Sequence, residues 1–329
     1  MKNVQHTQTR RQLLQAGAGL LGLSAAGMAV AQEKFPSRAV KIIVPLPAGG
    51  AADVSVRLLA QVMQSAFPQS LIVDNKPGGN YVIGMNTLVS APADGYTVIH
   101  ANATFLSVQV LLKQFDVFKQ LVPIAGLGYT DVALTISQNP LFKTTAELIA
   151  YGRANPGKLS YLTPGVGTLE HLTAFNFCKL NGIQAVDVPM KGGADVIKAL
   201  AAGDGHFGVV PIPLVAQFLS TGKVAALFVL NNKRNAAMPN LATFEEAGVK
   251  AIPCTVWGGI CAPAGTPAAA VAYLQKAVLD AARDPELQKK LAAQGFTPAA
   301  ITADAFGKIM RDDFEWIAKA VKDADIKLS

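Results

Sequence analysis

The sequence predicts an α/β fold made of two lobes, each a mostly parallel sheet covered by helices. From residue 39 onward, short runs typical of β-strands alternate with runs of helical periodicity, as in parallel sheets with helical connections. The chain has 329 residues, and a domain usually has roughly 100 to 200, which favours two lobes. Hydrophobic residues make up 51% of the sequence and charged residues 16%, so disordered and coiled-coil classes are excluded.

The first elements follow this alternation closely. Valine and isoleucine at 40–44 predict a strand, and a helical pattern follows at 54–65. Short apolar runs at 71–73 and 96–99 predict two further strands. The alternation then resumes and predicts a strand at 132–137, a helix from about Thr145, a strand at 159–162, a helix capped by Thr168, a strand at 186–189, a helix at 194–202 and a strand at 207–210.

The last third of the chain changes from alternation to a run of helices. Its predicted elements are strands at 224–230 and 256–262 and helices at 267–283, 285–294 and from 303 to about 321. Since these helices leave no room for a third sheet, we expect them to pack on the first lobe, which makes that lobe discontinuous. No period of about 20 to 50 residues repeats, so a solenoid is excluded.

Residues 1–31 have the pattern of an export signal. A basic start precedes a long uncharged stretch, and Ala29 and Ala31 have the spacing of an A-x-A cleavage site, which predicts cleavage after Ala31. The uncharged stretch is long enough that an uncleaved membrane anchor remains an alternative, although its glycines and the lack of a basic flank disfavour it. Arg10 and Arg11 resemble a twin-arginine signal, so that route and the general secretory route both remain open.

Charge and cysteine content exclude other classes of function. The formal net charge is +7, but the basic residues of the mature chain are scattered, so no nucleic-acid-binding surface is expected. The cysteines are Cys178, Cys254 and Cys261, an odd number, and we expect all of them to be small buried apolar residues. The histidines and cysteines lack metal-ligand spacing, so neither a metal nor a cofactor is expected.

A glycine-containing loop between the first strand and helix is the first candidate binding site. Glycine lets the backbone turn and lets a ligand approach, while free amides and the helix dipole favour an anion. The candidate ligand-binding residues here are Leu46, Ala48, Gly49, Gly50, Ala51, Ala52 and Asp53. The alternative is a plain strand-to-helix turn in which Asp53 only caps the helix.

A second loop repeats this arrangement after the strand at 159–162. Two such loops facing each other across a cleft would bind a small carboxylate without enzyme chemistry. Its candidate ligand-binding residues are Thr163, Gly165, Gly167, Thr168 and His171, joined by Lys191 and Gly192 from a third loop. His171 has a plain helix-face role as its alternative, and Lys191 a solvated one.

The segment Gly165-Val166-Gly167 also leaves a dinucleotide-dependent enzyme as an alternative. It nearly matches the dinucleotide fingerprint, and Asp187 ends the next strand, where a ribose-binding acid would lie. Against this interpretation, Glu170 occupies the position of the third glycine. Other catalytic signatures are absent from the sequence, so we do not expect an enzyme.

In this order, the segments resemble the solute-binding receptors of tripartite tricarboxylate transporters, also called the Bug family. The resemblance spans essentially the whole mature chain. The matching segments are 36–38, 40–45, 47–50 with Asp53, 75–78 (Asn-Lys-Pro-Gly), 93–97 (Ala-Asp-Gly-Tyr-Thr), 155–159 (Asn-Pro-Gly-Lys-Leu), 165–167 with His171 and Leu172, and 262–267 (Ala-Pro-Ala-Gly-Thr-Pro).

The resemblance implies a two-lobe, type II-like periplasmic binding protein with its ligand cleft between the lobes. Backbone amides and waters of the loops at 46–53 and 163–168 would hold a small organic carboxylate. Lobe 1 would comprise residues 32–123 and 230–329, and lobe 2 residues 124–229. The expected protein is a periplasmic monomer that delivers its ligand to membrane permease subunits. A ligand sensor or adaptor without a transporter is the remaining alternative.

Departures from the family pattern bear on the ligand. Ala51 and Ala52 stand where the family usually shows Gly-Thr, and Met190 replaces the usual Tyr. The stretch 78–81 is altered, and 206–211 lacks the usual acidic residues. Because fewer polar side chains would face a ligand, we expect a less polar carboxylate, aromatic or short-chain, rather than citrate.

Overall fold

The computed structural model describes residues 35–138 and 141–324. The predicted export signal at 1–31 lies outside the described residues. Among the described residues, the chain from Arg38 onward forms one compact unit. None of the helices in the described ranges has both the length and the apolar character needed to span a lipid bilayer.

Ten strands and eleven helices make up the described residues. In chain order they are β1 (Val40–Val44), α1 (Ala51–Gln64), β2 (Leu71–Asn75), α2 (Val82–Val89), β3 (Thr97–Asn102), α3 (Ala103–Leu112), α4 (Val117–Gln120), β4 (Leu121–Ser137), α5 (Thr145–Ala154), β5 (Leu159–Thr163), α6 (Leu169–Asn181), β6 (Ala185–Pro189), α7 (Gly193–Ala202), β7 (Phe207–Pro211), α8 (Ile212–Leu219), β8 (Val224–Val229), β9 (Thr255–Pro263), α9 (Ala268–Ala282), α10 (Pro285–Ala293), β10 (Phe296–Ile301) and α11 (Ala303–Ala324).

Each predicted strand and helix is present, and the structure adds elements that the sequence patterns concealed. The additions are α2, α3, α4, α8, β10 and the first part of β4. Glycine and proline interrupt the apolar run in the first part of β4, and Pro298 lies inside β10, where proline argues against a strand. The helix α3 is buried over most of its length, so it shows no amphipathic period.

The long strand β4 organises the sheet. It has 17 residues, and its partners change along its length. Residues 121–131 pair with β9, and within them 126–130 also pair with β10. Residues 132–137 pair instead with β7 and β8. The sheet order is β2-β1-β3-β9-β4-β7-β5-β6, with β10 and β8 paired to β4 as branches.

Parallel pairing is confined to the two flanks of this sheet. The strand β1 is parallel to β2 and β3, and β5 is parallel to β6 and β7. The pairings of β9 and of β4 are antiparallel, so the sheet as a whole is mixed. The candidate loops follow β1, β5 and β6, whose carboxyl ends are where ligands bind in parallel α/β sheets.

The C-terminal helices pack against elements near the start of the chain, as the sequence analysis expected. The helices α9 and α10 contact α1, and α11 contacts α3 and β4. The predicted burial of the cysteines is confirmed, because Cys178, Cys254 and Cys261 are buried and unbonded. Burial raises the pKa of each thiol to about 12, so these side chains stay protonated and act as apolar filling.

Candidate functional site

A cavity of about 90 Å³ lies where the loops after β1 and β5 meet. Leu46 and Ala51 line it from one side, and Pro164 and Glu170 from the other. Since a single water needs about 10 to 15 Å³, the cavity has room for several waters or one small molecule. Apolar side chains supply much of its wall, among them Leu59, Leu214, Val256, Leu287 and Leu291.

Asp53 holds the first loop in place. The Gly49 N–H donates to Asp53 Oδ2 at 2.9 Å, and Arg57 Nε donates to Asp53 Oδ1 at 2.9 Å. Gly49 has a φ of +79°, which favours glycine. Burial alone would raise the pKa of Asp53, but hydrogen bonds from Arg57, Gly49 and Asn75 outweigh it and hold that pKa below its usual range. The carboxylate therefore serves the turn, which was the alternative interpretation.

The N-terminus of α1 supplies free amides at the cavity. The helix begins at Ala51, three residues earlier than predicted, and its N-cap Gly50 contributes no side-chain cap. Within residues 35–138 and 141–324, no acceptor pairs with the backbone N–H of Ala51 or Ala52. Both residues line the cavity, as do Leu46 and Gly50. Unpaired first-turn amides and the helix dipole together favour a bound anion.

Side chains at the start of α6 donate and accept hydrogen bonds within the second loop, the loop after β5. The Gly167 N–H donates to His171 Nδ1 at 3.3 Å, and Thr168 caps α6 by accepting from the His171 N–H at 3.2 Å. The Thr168 hydroxyl also donates to the Gly165 carbonyl at 2.7 Å. These four residues are absent from the cavity wall that the described residues form. They form the loop rather than the cavity surface.

Behind this loop, His171 is fixed as a neutral imidazole. Its Nδ1 accepts from a backbone amide, so its Nε2 carries the proton and lies 3.7 Å from Asp187 Oδ2. Burial lowers the pKa of His171, and the Asp187 carboxylate opposes this effect. Thr163 donates to Asp187 Oδ1 at 2.9 Å. Because Asp187 already faces Thr163 and His171, it is not placed as the ribose-binding acid of a dinucleotide site.

The third loop meets the first. A Cβ on Gly192 would lie 2.9 Å from Pro47 Cδ, so the absence of a side chain at Gly192 allows the close approach. Lys191 is exposed, in agreement with its solvated alternative. Neither Lys191 nor Gly192 belongs to the cavity wall, to which the next residues, Gly193 and Ala194, contribute. Ala48, Gly49, Asp53 and Thr163 likewise lie outside that wall.

Side-chain hydrogen bonds connect segments on the two sides of the cavity. Ser107 Oγ donates to the Gly167 carbonyl at 2.8 Å, and Thr104 Oγ1 donates to Glu170 Oε2 at 3.0 Å. These bonds join α3 to the loop after β5 and to the first turn of α6. The segments on the two sides of the cavity are therefore in direct contact.

Sequence analysis missed a buried polar cluster, which we call the acid cluster: Tyr81, His100, Asn102, Thr104 and Glu170. All five residues line the cavity and are buried. Tyr81 contacts Asn102 and Thr104 through hydrogen bonds and lies near Glu170. A signal for part of it exists in the sequence, since His100 and Asn102 alternate at the end of an apolar strand and would share one face.

Tyr81 reaches this cluster through an unusual backbone. Asn80 and Tyr81 have φ values of +49° and +72°, in the left-handed region that non-glycine residues rarely adopt. The Tyr81 ring packs on Phe105 with a centroid distance of 5.6 Å, which helps to hold this conformation. Asn80 and Tyr81 belong to the stretch 78–81 that departs from the family pattern. Such strain concentrates at functional sites.

The acid cluster corrects the expectation that few polar side chains face the cavity. Burial raises the pKa of Glu170, although its own backbone N–H and the Thr104 hydroxyl oppose this effect. Burial lowers the pKa of His100 to about 4, so its imidazole is neutral at physiological pH. No group of three or more His, Cys, Asp or Glu side chains in the described ranges could hold a metal ion.

Comparison with known proteins gives a consistent result. Residues 55–326 match a family described as the tripartite tricarboxylate transporter family receptor. The chain is 29% identical to protein BugT of Bordetella pertussis, over 93% of this chain and 96% of that protein. It is 32% identical to a second protein of that species, over 87% of this chain and 89% of the relative.

Solved structures show the same fold. Periplasmic binding protein BugD superposes with a TM-score of 0.84 at 26% identity, over 89% of this chain and 99% of that one. The R. palustris protein Rpa4515, solved with adipate, has a TM-score of 0.84 at 27% identity, with coverage of 89% and 99%. A periplasmic transporter reaches 0.85 at 29% identity, with coverage of 90% and 100%. The predicted α/β, two-lobe periplasmic-binding-protein fold is confirmed.

Proposed function

This chain belongs to the tripartite tricarboxylate transporter receptor family, and on that basis we propose that it captures a small organic carboxylate in the cavity and delivers it to a membrane permease. The family is one of solute-binding receptors, which confirms the prediction of a non-enzyme. Its members are periplasmic. The observation that carries the proposal is the pair of N–H groups of Ala51 and Ala52 at the cavity, which have no partner among the described residues.

The free energy of micromolar binding shows how many hydrogen bonds the site must supply. One helix N-terminus contributes about 0.3 to 1 kcal/mol to anion binding when exposed, and up to about 2 when partly buried. A micromolar dissociation constant corresponds to about 8 kcal/mol. Several charge-assisted hydrogen bonds, at about 1.5 to 3 kcal/mol each, are therefore required in a site closed to water. The amides of Ala51 and Ala52 supply two of these bonds, and other wall groups and waters the rest.

The cavity favours a carboxylate of low total charge. Among the described residues of its wall, none is a lysine or an arginine, and one, Glu170, is an acid. Three carboxylates of one ligand would find no cation there, and burial of an unpaired charge is costly. We therefore expect calorimetry to show tighter binding of adipate or an aromatic monocarboxylate than of citrate. Tighter binding of citrate would contradict this preference.

We propose the same division into lobes that the resemblance implies, with residues 32–123 and 230–329 in lobe 1 and 124–229 in lobe 2. The change of partners along β4 supports a crossing within this strand. That change falls between Asp131 and Val132, which favours a hinge a few residues after 124. A ligand touching both lobes would stabilise the closed form.

We further propose that the chain is exported to the periplasm as a monomer, with cleavage after Ala31 and by either route. Intact mass spectrometry of protein recovered from the periplasm tests this proposal. A mature chain starting at Gln32 is expected, and a mass that includes residues 1–31 would contradict cleavage.

Isothermal titration calorimetry of the mature chain with adipate tests the carboxylate site. The variant Ala52→Asp places a negative charge in the first turn of α1, where it stabilises the helix but repels an anionic ligand. We expect binding to weaken at least tenfold without loss of thermal stability. Ala269→Asp, the same change at an exposed residue in the same helical position of α9, is the matched control and should bind normally. Equal affinity in Ala52→Asp and the wild type would contradict the site.

A further inference from the structure

We infer that Asp131 is a positioning residue of the hinge: its carboxylate ties together the two chain crossings between the proposed lobes and limits how freely the lobes turn during ligand capture. This inference rests on the proposed function, because the lobes and the hinge are those proposed above. Asp131 is not among the described residues of the cavity wall, so it acts through the segments that it holds in place.

Asp131 lies where the first crossing takes place. It is the last residue of β4 that pairs with β9, opposite Thr255, and the next residue, Val132, pairs with β7 instead. Asp131 is 7% exposed, so its carboxylate is largely shielded from water. A buried carboxylate needs hydrogen-bond donors from the protein. The identity of those donors therefore decides which segments the carboxylate holds.

The donors come from the second crossing. Asn231 Nδ2 donates to Asp131 Oδ1 at 2.8 Å, and Asn235 Nδ2 donates to Asp131 Oδ2 at 2.8 Å. Asn231 comes two residues after β8 ends, and the residue between them, Leu230, donates its N–H to the Val132 carbonyl at 2.9 Å. Both oxygens of one carboxylate are thus bonded to the second crossing. The two crossings cannot move independently unless these bonds break.

The same hydrogen bonds lead from the hinge to the cavity. Asn235 Nδ2 also donates to the Gly295 carbonyl at 3.4 Å. The next residue, Phe296, lines the cavity, and so does Thr130 on the other side of Asp131. A rearrangement of the Asp131 hydrogen bonds therefore takes place one residue away from the cavity wall.

Gly295 also carries a direct contact between the proposed lobes. A Cβ on Gly295 would lie 2.6 Å from Ile212 Cγ2, so the two backbones approach closely here. Ile212 is the first residue of α8, in lobe 2, whereas Gly295 belongs to lobe 1. Through Asn235, Asp131 thus holds a turn of one lobe against the start of a helix of the other.

The chemistry of this pairing allows an exchange experiment. Two neutral amides supply these hydrogen bonds to Asp131, so the arrangement needs one carboxylate among amides. Asn231→Asp alone sets a second carboxylate against the first, and like charges repel. Asn231→Asp combined with Asp131→Asn keeps the total charge of the wild type and again places one carboxylate beside amide donors.

The distance between the proposed lobes tests the inference in the ligand-free mature chain. Nitroxide labels at Lys198→Cys in lobe 2 and Lys289→Cys in lobe 1, both exposed, report this distance by pulsed electron paramagnetic resonance. The native cysteines are buried and do not compete for the label. We expect Asn231→Asp to widen the distance distribution about 1.5-fold or more, and to weaken adipate binding about fivefold or more. Asn232→Asp, the same change at the exposed neighbour, is the matched control and should keep both wild-type values.

The exchanged variant, Asn231→Asp with Asp131→Asn, should return the width and the affinity close to the wild-type values. If Asn231→Asp only lowers the unfolding temperature and leaves the width unchanged, Asp131 has a purely structural role and the inference is wrong. An exchanged variant as wide as Asn231→Asp, or equal widening in Asn232→Asp, would also overturn it.

Two further outcomes keep the proposals apart. If Asn231→Asp does not fold, Asn231→Ala deletes one hydrogen bond without adding a charge, and the wild-type width in that variant would overturn the inference. If the wild type does not bind adipate, the proposed function is contradicted, whereas the ligand-free widths still decide the role of Asp131.

Discussion

At the scale of single residues, the acidic and imidazole side chains of the first two candidate loops serve the backbone. Asp53 pairs with Gly49 and Arg57, and His171 accepts from Gly167. A capping role for Asp53 could be predicted, because aspartate near a helix start is a common cap. The distance between Thr104 and Glu170 could not, since these residues are 66 positions apart in sequence.

The Asp53 pairing predicts a pH-dependent loss of stability. Its folded-state pKa lies below the unfolded value of about 3.9, so the contribution is complete above that value and is lost as pH falls through the folded-state pKa. Hydrogen bonds to a charged group contribute about 1.5 to 3 kcal/mol. We therefore expect Asp53→Asn to unfold more easily by about 1 to 3 kcal/mol at pH 7.

Urea unfolding between pH 7 and pH 3 measures this effect. The difference between the wild type and Asp53→Asn should be constant above about pH 5 and shrink below about pH 4. Exposed Asp204, changed to Asn, is the control and should show little difference at any pH. A difference that grows as pH falls would contradict the role assigned to Asp53.

At the scale of elements, the starts of helices decide the geometry of the site. Hydrophobic periodicity predicted α1 but started it at residue 54, because the Ala-Ala-Asp segment at 51–53 shows no periodic apolar pattern. The true start at Ala51 moves three amides, among them those of Ala51 and Ala52, from the loop into the first helical turn. Helix α3 was missed because it is buried over most of its length and therefore has no periodic apolar face.

The contact between the first and third loops predicts the effect of a single methyl group. Gly192 has an extended backbone with φ 168°, which alanine adopts without strain, so Gly192→Ala acts only through contact with Pro47. We expect a loss of adipate affinity of about threefold or more, because the loops cannot approach fully. Calorimetry measures the affinity, and thermal unfolding should change little.

A compensating change makes this prediction specific. Pro47→Ala removes the Cδ atom that the new methyl group would meet. The double variant Gly192→Ala with Pro47→Ala should bind more tightly than Gly192→Ala alone. If it binds more weakly, the contact between these loops does not limit closure.

At the scale of the whole molecule, one strand joins the two halves of the sheet, and side-chain hydrogen bonds connect segments on the two sides of the cavity. Both the periodicity and the family resemblance could predict two α/β lobes, because each lobe uses local alternation. Neither could predict the partner exchange along β4, since it depends on pairing between distant segments. The cavity with its acid cluster likewise arises only when the start of α2, the end of β3, α3 and α6 come together.

Closure should be visible as a change in shape. If Thr104, Ser107 and the ligand together stabilise the closed form, the ligand-free chain samples more open forms. We expect small-angle X-ray scattering to show a smaller radius of gyration when adipate is added. Ala52→Asp should show no such change, and an identical radius for the wild type with and without bound ligand would contradict hinged capture.

The most direct test is a crystal structure of the mature chain grown with adipate. The account predicts one carboxylate in the cavity, with its oxygens about 2.7 to 3.2 Å from the backbone nitrogens of Ala51 and Ala52. A ligand bound elsewhere, or those two amides paired with the protein's own acceptors, would contradict it.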